Sequence, residues 1–311
     1  MAKITNAYDT YTATTNREEL ANAIYNIDPT ATPFMSAIGT KNVGNVVFDW
    51  SVDSIGSISA TGELEGAEIS RAQAQSVTRE SNVCQINSVN VTVSNSQSAS
   101  DVAGKRSEMA HQMALLSKRL KANMETAISG NYAKNSGNAT TARATRSFEA
   151  WISSNKSRGT GGADGSASAA ATDGTQRTLT EALLKTVLQS MFSNGATPKI
   201  ALAGPHNKQV ISGFTGRANT RATVDAGTVS SSVSIYASDF GDLQIIPSNR
   251  SRDRSLLLID PDYAKTCFLR SFQTIDISTI GDAETKMLVA EWGLEVSTEK
   301  AHGIVADLST S

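Results

Sequence analysis

The stretch DPTATPFMSAIGTKNVGNVVFDW, residues 28–50, poses the central question about how this chain folds. Pro29 and Pro33 interrupt the backbone, and the apolar pair Phe34-Met35 follows them. A glycine-marked turn then leads into a segment of alternating apolar and polar residues, which predicts a strand. The apolar face of that strand carries Val46, Phe48, Trp50 and Val52. Because the neighbouring sequence is polar, this face needs a partner from elsewhere.

Residues 43–94 are predicted to form one long two-stranded excursion from the body of the protein. The acidic, glycine-punctuated segment ATGELEGAEIS, residues 60–70, is expected at its tip. The alternating Val89, Val91 and Val93 indicate the returning strand. An isolated two-stranded ribbon is marginally stable in water, and its open edges favour aggregation. We therefore expect this excursion to lie against another molecule.

A long amphipathic helix is predicted over SDVAGKRSEMAHQMALLSKRLKANMETAISGN, residues 100–131. At about 1.5 Å per residue it would be roughly 40–45 Å long, and we call it the spine helix. His111, Lys118 and Glu125 are expected on its polar side. The apolar stripe comprises Val102, Met109, Met113, Leu116, Leu120, Met124 and Ala127. A shorter helix is predicted between an N-cap at Asn16 and Asp28.

The second half of the chain begins after a low-complexity stretch at residues 153–177, which predicts a flexible surface loop. Beyond it, helical and strand patterns alternate, as in a mixed α/β domain. The segment 285–308 predicts one long strand, or a hairpin bent at Gly293.

Composition excludes several classes of protein. The chain has 311 residues, of which 39% are hydrophobic and 19% charged, which is typical of a folded protein rather than a disordered one. A net charge of −2 gives no bulk cationic field for nucleic-acid binding. No stretch approaches the roughly 20 apolar residues that span a bilayer, so no membrane association is expected. Cys84 and Cys267 are expected to be free, buried thiols.

Motifs for catalysis are sparse. The sequence contains no GxxxxGK loop, HExxH, GxSxG or CxxC motif, so we expect no cofactor and no metal. His111 with Glu108 could hold a metal, but a solvated pair on a polar helix face explains the spacing better. His206 and His302 would need partners that the sequence does not reveal. The scarcity of catalytic motifs therefore argues against an enzyme, although catalytic carboxylate sites can exist without a motif.

The order of these elements resembles the major capsid protein of tailed bacteriophages with the Hong Kong 97-type fold. Three stretches are similar to one family of such head proteins. They are DPTATPFMSAIG with VVFDWSVDSI, LKANMETAISGN, and EWGLEVSTEKAHGIVADL. The resemblance implies an α+β fold with an N-terminal arm, an extended β-hairpin loop, a long spine helix, and peripheral and axial domains.

The resemblance also implies a division of the chain. The expected units are an N-terminal arm at 1–42, an extended loop at 43–98, a peripheral domain with the spine helix at 99–150, the flexible Gly/Ser loop at 151–177, an axial domain at 178–264, and peripheral return strands at 265–311.

The implied function is structural. The chain would self-assemble through hexamers and pentamers into the icosahedral head of a virion, built in the host cytoplasm around packaged double-stranded DNA. Portal, scaffolding and decoration proteins are possible partners. Two alternatives stay open: an encapsulin-like bacterial shell of the same fold, and a soluble α/β enzyme with carboxylate chemistry.

Charge suggests how neighbouring subunits could meet. The expected inter-subunit contacts are Trp50, Glu63, Glu65 and Glu68 of the extended loop and Lys118 and Lys121 of the spine helix. Each exposed ion pair contributes only about 0–1 kcal/mol, so apolar burial would supply most of the affinity and charge would set the register. Two independently solvated charged surfaces are the alternative.

A covalent lock through the extended loop is not expected. Some members of the resembled fold join a loop lysine to an asparagine of a neighbour, but residues 42–104 contain no lysine. Assembled particles should therefore release monomers on a denaturing gel. A ladder of covalent oligomers would contradict this prediction.

Overall fold

The computed structural model describes residues 31–56, 58, 60, 62, 64–66, 74, 76–100, 107–214, 234–278 and 281–310. The helix predicted from Asn16 to Asp28 lies outside these residues, as do Glu63 and Glu68 of the predicted acidic tip. Within the described part, the strands form two sheets and one separate two-stranded ribbon.

The described residues contain six α-helices and twelve strands. The helices are α1 Pro33–Ala37, α2 Asn95–Ala99, α3 Glu108–Ile128, α4 Phe148–Trp151, α5 Glu181–Ser193 and α6 Pro205–Ser212. The strands are β1 Gly39–Asn42, β2 Val47–Val52, β3 Thr78–Val83, β4 Gln85–Ser94, β5 Lys156–Ser157, β6 Ile200–Ala203, β7 Ile235–Ser238, β8 Gly241–Pro247, β9 Leu256–Ile259, β10 Ala264–Ile277, β11 Ala283–Val296 and β12 Gly303–Val305. Short 3₁₀ turns occupy Pro261–Tyr263 and Glu299–Ala301.

The first sheet has the strand order β1, β10, β11, β4. Its centre is the antiparallel pair β10 and β11, which runs from Ala264 opposite Val296 to Ile277 opposite Thr285. Strand β1 pairs in parallel with the start of β10, and β4 pairs antiparallel with β11. Helix α3 packs on β4 and β11, so the spine helix covers one side of this sheet.

The predicted pairing between the returning strand and the strand that contains Trp50 is wrong. Val89, Val91 and Val93 lie in β4, which pairs with β11 rather than with the strand that contains Trp50. That strand, β2, pairs instead with β3, from Val47 opposite Val83 to Val52 opposite Thr78. Alternation reveals which face of a strand is buried but not which strand lies beside it. We call β2, β3 and residues 53–77 between them the ribbon.

The spine helix is shorter than the sequence pattern suggests. Helix α3 has 21 residues, or about 32 Å, and a separate five-residue helix α2 precedes it. The Ser107 hydroxyl accepts a hydrogen bond from the Ala110 amide and caps its N-terminus. Its buried apolar residues are Met109, Leu116, Leu120, Ala122, Met124 and Ile128. They confirm the predicted stripe along the described part of the helix.

Glu125 does not lie on the polar side of the spine helix, where the sequence places it. Its side chain is fully buried, and its two carboxylate oxygens accept the backbone amides of Phe34 at 2.7 Å and Met35 at 2.9 Å. These amides belong to the first turn of α1, where helical N–H groups lack intrahelical partners. Burial raises the pKa of Glu125, and the two amide hydrogen bonds oppose that rise. Glu125 thus joins the PFMSA helix to the spine helix.

The second sheet has the strand order β5, β12, β9, β6, β8, β7. Strand β6 pairs in parallel with β8 and antiparallel with β9, and the buried residues of α5 and α6 share its apolar core. The short C-terminal strand Gly303–Val305 inserts between β5 and β9. The predicted range 265–311 therefore does not return to a single sheet, because its last residues join the second one.

The Gly/Ser stretch at 153–177 is not the flexible loop that its composition predicts. Buried Asp307 accepts the amides of Gly159 at 2.9 Å and Gly174 at 2.7 Å, and Arg252 binds Asp173 through two hydrogen bonds. A Cβ on Gly174 would lie 2.7 Å from the Gly159 carbonyl oxygen, so the glycine permits this close approach. Low complexity here reflects tight backbone packing rather than mobility.

The two sheets share one apolar core. It combines Leu120 of the spine helix and Trp292 of β11 with Leu202 and Leu257 of the second sheet. Buried Glu149 adds an ionic link, because it binds Arg252 at 3.0 Å and accepts the Ser255 hydroxyl at 3.0 Å. Burial raises the pKa of Glu149, and the Arg252 guanidinium opposes that rise.

Removal of the Glu125 carboxylate should destabilise the subunit. Glu125→Ala leaves the two α1 amides without an acceptor, which we expect to lower the free energy of unfolding by about 1–3 kcal/mol. Lys118→Ala, on the exposed side of the same helix, is the matched control and should change it by less than about 0.5 kcal/mol. Urea unfolding of unassembled subunits measures both. Equal midpoints for the two variants would contradict the capping role.

Candidate assembly interface

The ribbon carries apolar side chains that its own subunit leaves uncovered. Beyond the end of β2, Ile55, Ile58 and Leu64 are 94%, 88% and 83% exposed. Single exposed apolar residues are ordinary on a protein surface, but three nearly fully exposed ones within ten positions of the sequence are not. This concentration marks the distal ribbon as a surface for another molecule.

The root of the ribbon is fixed to the first sheet by close packing over Gly293. A Cβ on Gly293 would lie 2.7 Å from the Phe48 ring and 3.0 Å from the Val83 carbonyl oxygen. Phe48 is buried there with Cys84 and Cys267. Gly293 lies within the continuous strand β11, so it provides room for Phe48 rather than the bend that the sequence allows.

Trp50 has a partner within its own chain. Its ring centroid is 5.4 Å from that of Trp151 and 5.9 Å from that of Phe48, and the side chain is half-buried against the main core. The expectation that this strand lacks a partner in the chain is therefore wrong. Trp151 lies 101 positions later, and no local pattern links the two tryptophans. A contact between Trp50 and a neighbouring subunit stays a prediction.

Buried polar groups beneath the root were not identified from the sequence. The Asn82 side chain donates to the Leu294 carbonyl at 2.6 Å, and its oxygen accepts the Arg146 amide at 2.9 Å. The Arg146 guanidinium lies 4.0 Å from the Trp151 ring centroid, and burial lowers its pKa to about 10. Asn82 stands in a polar-looking segment, TRESN, so nothing in its sequence context indicates burial. These contacts hold the ribbon root at one position.

The predicted acidic tip is only partly described by the structure. Glu65 is exposed there, whereas Glu63 and Glu68 lie outside the described residues. Nearer the root, Asp49 forms an ion pair with Arg79 across the two strands, and Asp53 is exposed. The described ribbon therefore presents more negative than positive charge.

The predicted basic surface is present on the spine helix. Lys118, Arg119 and Lys121 are all exposed, and none of them forms an ion pair with another described residue. The ammonium of Lys121 lies 5.8 Å from the ring centroid of Phe272 on β10. Lys105 and Arg106 lie outside the described residues. Among the described residues, the acidic groups of the ribbon and the basic groups of the spine helix therefore form no ion pair with each other within one chain.

Among the candidate histidines, His302 has a structural role. His302 is fully buried with its ring against Phe148, and its Nδ1 accepts the Asp260 amide at 3.3 Å. Burial lowers the pKa of His302 to about 4, which keeps the ring neutral near pH 7. The carboxylate of Asp260 accepts the Asp262 amide, the turn chemistry expected beside a proline. Across the part of the chain that is described, no three metal-ligating side chains cluster.

The two thiols are buried, as the sequence predicts, and free. Burial raises the pKa of Cys84 to about 11 and also raises the pKa of Cys267, so both are protonated at neutral pH. Among the described helices, none has the length and apolar character needed to cross a bilayer.

Comparisons with known proteins agree with this geometry. The chain resembles the cyanophage A-1(L) capsid, with a TM-score of 0.70, 13% identity, and coverage of 97% of this chain and 99% of that one. It resembles a chain of Microbacterium phage Oxtober96 with a TM-score of 0.62, 12% identity, and coverage of 94% and 95%. It also resembles the SrpI encapsulin of Synechococcus elongatus PCC 7942, with a TM-score of 0.56, 13% identity, and coverage of 95% and 93%.

At these identities the structural matches establish the fold alone, which is the Hong Kong 97-type capsid fold. No curated protein matches the chain in sequence. The family model of the SU10 major capsid protein, however, matches residues 3–309, nearly the whole chain. The chain therefore belongs to the SU10 major capsid protein family.

Proposed function

We propose that this chain assembles, through its ribbon, into the closed icosahedral head of a tailed phage that encloses double-stranded DNA. The observation that carries the proposal is the near-complete exposure of Ile55, Ile58 and Leu64 on a ribbon whose root is rigidly packed. Membership of the SU10 major capsid protein family supports it. In this proposal the first sheet with α3 forms the peripheral domain, and the second sheet forms the axial domain.

Burial of the distal ribbon supplies the driving force for assembly. Each isoleucine or leucine that passes from full exposure to burial contributes about 1.5–3 kcal/mol. A closed shell repeats the same contact at every subunit, so modest pairwise affinity is sufficient for a stable particle. Phe48 and Asn82 hold the root of the ribbon, so the ribbon can present its distal residues to a neighbouring subunit in one orientation.

Electrostatics sets the register of this contact. The exposed Glu65, together with Glu63 and Glu68 as sequence neighbours, would face the exposed Lys118 and Lys121 of an adjacent spine helix. Pairs between opposite charges favour one orientation of the partners, whereas juxtaposed like charges disfavour others. The near-neutral net charge agrees with a shell that confines DNA without reading its sequence.

An encapsulin-like shell is the second candidate, because the SrpI encapsulin shares the fold over 95% of this chain. The family model favours the phage head, since it matches on sequence and over nearly the whole chain. In either case we propose a structural role without catalysis or cofactor. Assembly in the host cytoplasm and contacts with portal, scaffolding or decoration proteins belong to the phage proposal.

Purified full-length chain should form closed shells that are visible by negative-stain electron microscopy. Ile55→Ser should reduce particle yield at limiting protein concentration, because it removes apolar surface from the contact. Since Ile55 is 94% exposed in the subunit, thermal unfolding of unassembled Ile55→Ser should match that of the unmodified chain. Elution of the unmodified chain only as a monomer, without particles, would contradict the proposed function.

A charge swap should reveal the predicted register. Glu65→Lys and Lys121→Glu should each slow assembly at low salt, because each places like charges opposite one another. The double variant should recover the assembly rate of the unmodified chain, since it restores one pair of opposite charges. Light scattering at two ionic strengths measures the assembly rate. Single variants whose rates and salt dependence equal those of the unmodified chain would exclude this contact.

A further inference from the structure

His302 lies where the C-terminal strand meets the connection between the two sheets. It directly precedes β12, which pairs with β9 of the second sheet. Residues 260–263, which we call the crossover, lead from β9 to β10 and so join the second sheet to the first. The His302 ring also packs edge-on against Phe148 of α4, with 4.9 Å between the ring centroids. At this junction the side chain is fully buried.

Both ring nitrogens of His302 bind the backbone of the crossover. Nδ1 accepts the Asp260 amide at 3.3 Å, so this nitrogen carries no proton. Nε2 therefore holds the single proton of the neutral ring and donates it to the Tyr263 carbonyl at 3.4 Å. The same carbonyl accepts the Ser297 amide, just after β11, at 2.8 Å. The ring thus connects the C-terminal strand to both ends of the crossover.

A second proton on the ring would break this arrangement. It would lie on Nδ1, and the new N–H group would face the N–H group of Asp260, so that two donors oppose each other. The buried Asp260 amide would then have lost its acceptor, which destabilises a folded protein. The ring would also carry a positive charge within the protein interior, where burial disfavours the charged form.

The charged groups on the elements around His302 do not compensate for such a charge. Glu299 binds the amides of Ser153 and Ser154 at 3.2 Å and 3.1 Å. The Asp260 carboxylate lies 3.5 Å from the Lys199 ammonium, Glu149 binds Arg252, and Lys300 is exposed. The groups concerned are Glu299 and Lys300 of the preceding turn, Asp260 and Asp262 of the crossover, and Glu149 of α4. Burial opposes the charged ring more strongly than the Tyr263 carbonyl and Glu299 favour it.

We propose that His302 and the crossover form an acid-sensitive joint, in which protonation of the ring opens the crossover and releases the C-terminal strand from it. The ordinary pKa of histidine is 6.5, and burial lowers the pKa of His302 to about 4. Between these values an opened or unfolded chain takes up the proton and the closed joint does not. The contribution of the neutral ring to stability is therefore fully present above pH 6.5 and is lost as the pH falls towards 4. The joint belongs to the single subunit, so the inference does not depend on assembly.

Urea unfolding of unassembled subunits at pH 7 and pH 5 tests the titration. His302→Asn offers a side-chain oxygen as acceptor for the Asp260 amide but cannot take up a proton. Between the two pH values, the equilibrium constant for unfolding should rise about twentyfold more in the unmodified chain than in this variant. His111→Asn, at a partly exposed position on the spine helix, is the matched control and should retain the pH dependence of the unmodified chain. An equal rise in the unmodified chain and in His302→Asn would overturn the inference.

Hydrogen exchange on the unmodified chain locates the opening and requires no variant. The quantity measured is the protection of each amide relative to an unstructured peptide at the same pH. Amides of residues 260–263 and 302–305 should lose protection on the order of tenfold between pH 7 and pH 5, whereas those of residues 116–124 in the spine helix should keep it. Unchanged protection at the crossover would overturn the joint. An equal loss in both regions would also overturn it, because the acid effect would then be general.

Nitrogen chemical shifts of the His302 ring test the geometry on which the joint depends. At pH 7 they should show a neutral ring with its proton on Nε2, since Nδ1 accepts the Asp260 amide. The resonances are assigned by their loss in His302→Asn. A proton on Nδ1, or a charged ring at pH 7, would overturn the inference.

Discussion

The packing of Phe48 over Gly293 is the contact on which the functional architecture depends. Strand β11 runs between β10 and β4, and the ribbon root can approach it only where β11 presents no side chain. The Val46 carbonyl accepts the Cys84 amide at 2.8 Å, which closes the root beside this contact. A side chain at Gly293 would displace the Phe48 ring and, with it, the direction in which the ribbon leaves the body. Exposed residues at the far end thus depend on a buried glycine at the near end.

Three buried polar side chains bind backbone groups that helices and sheets leave without a hydrogen-bond partner. Glu125 binds the first turn of α1, Asn82 binds the backbone of β11 and residue 146, and Asp307 binds two glycine amides of the 153–177 stretch. Each joins segments at least 64 positions apart in the sequence and gives buried backbone groups a hydrogen-bond partner. Buried polar groups with satisfied partners specify one arrangement more strictly than apolar contacts, because displacement leaves them unpaired. The fold therefore has fixed connections between its irregular parts.

The sequence predicted the spine helix and the fold class, because each depends on local periodicity or on the order of elements. It could not predict which strand pairs with which: Val89 and Trp50 both alternate correctly, yet they belong to different sheets. Glu125 was predicted to be exposed because charged residues usually are. The two amides that it binds lie 91 and 90 positions away in the sequence. The Gly/Ser stretch was predicted to be flexible because of its low complexity. Its composition gives no sign that Asp307 binds two of its glycine amides. At the candidate interface, Lys118, Lys121 and Glu65 are exposed as expected, whereas the contact of Trp50 with Trp151 has no local sequence signature.

The apolar side chains of this subunit divide into buried cores and a smaller set that is exposed. One apolar core spans both sheets, and a second core lies between the second sheet and its helices. Apolar side chains remain exposed in the ribbon and at the end of β10, where the described strands leave backbone edges unpaired. Each feature alone would favour disordered aggregation, because open edges pair without selectivity. In the proposed assembly, negative charge on the ribbon and positive charge on the spine helix instead favour head-to-tail contacts. Head-to-tail contacts close into rings only when the rotation between copies closes, and a ribbon root held by Phe48 and Asn82 would limit the rotations available to the proposed contact.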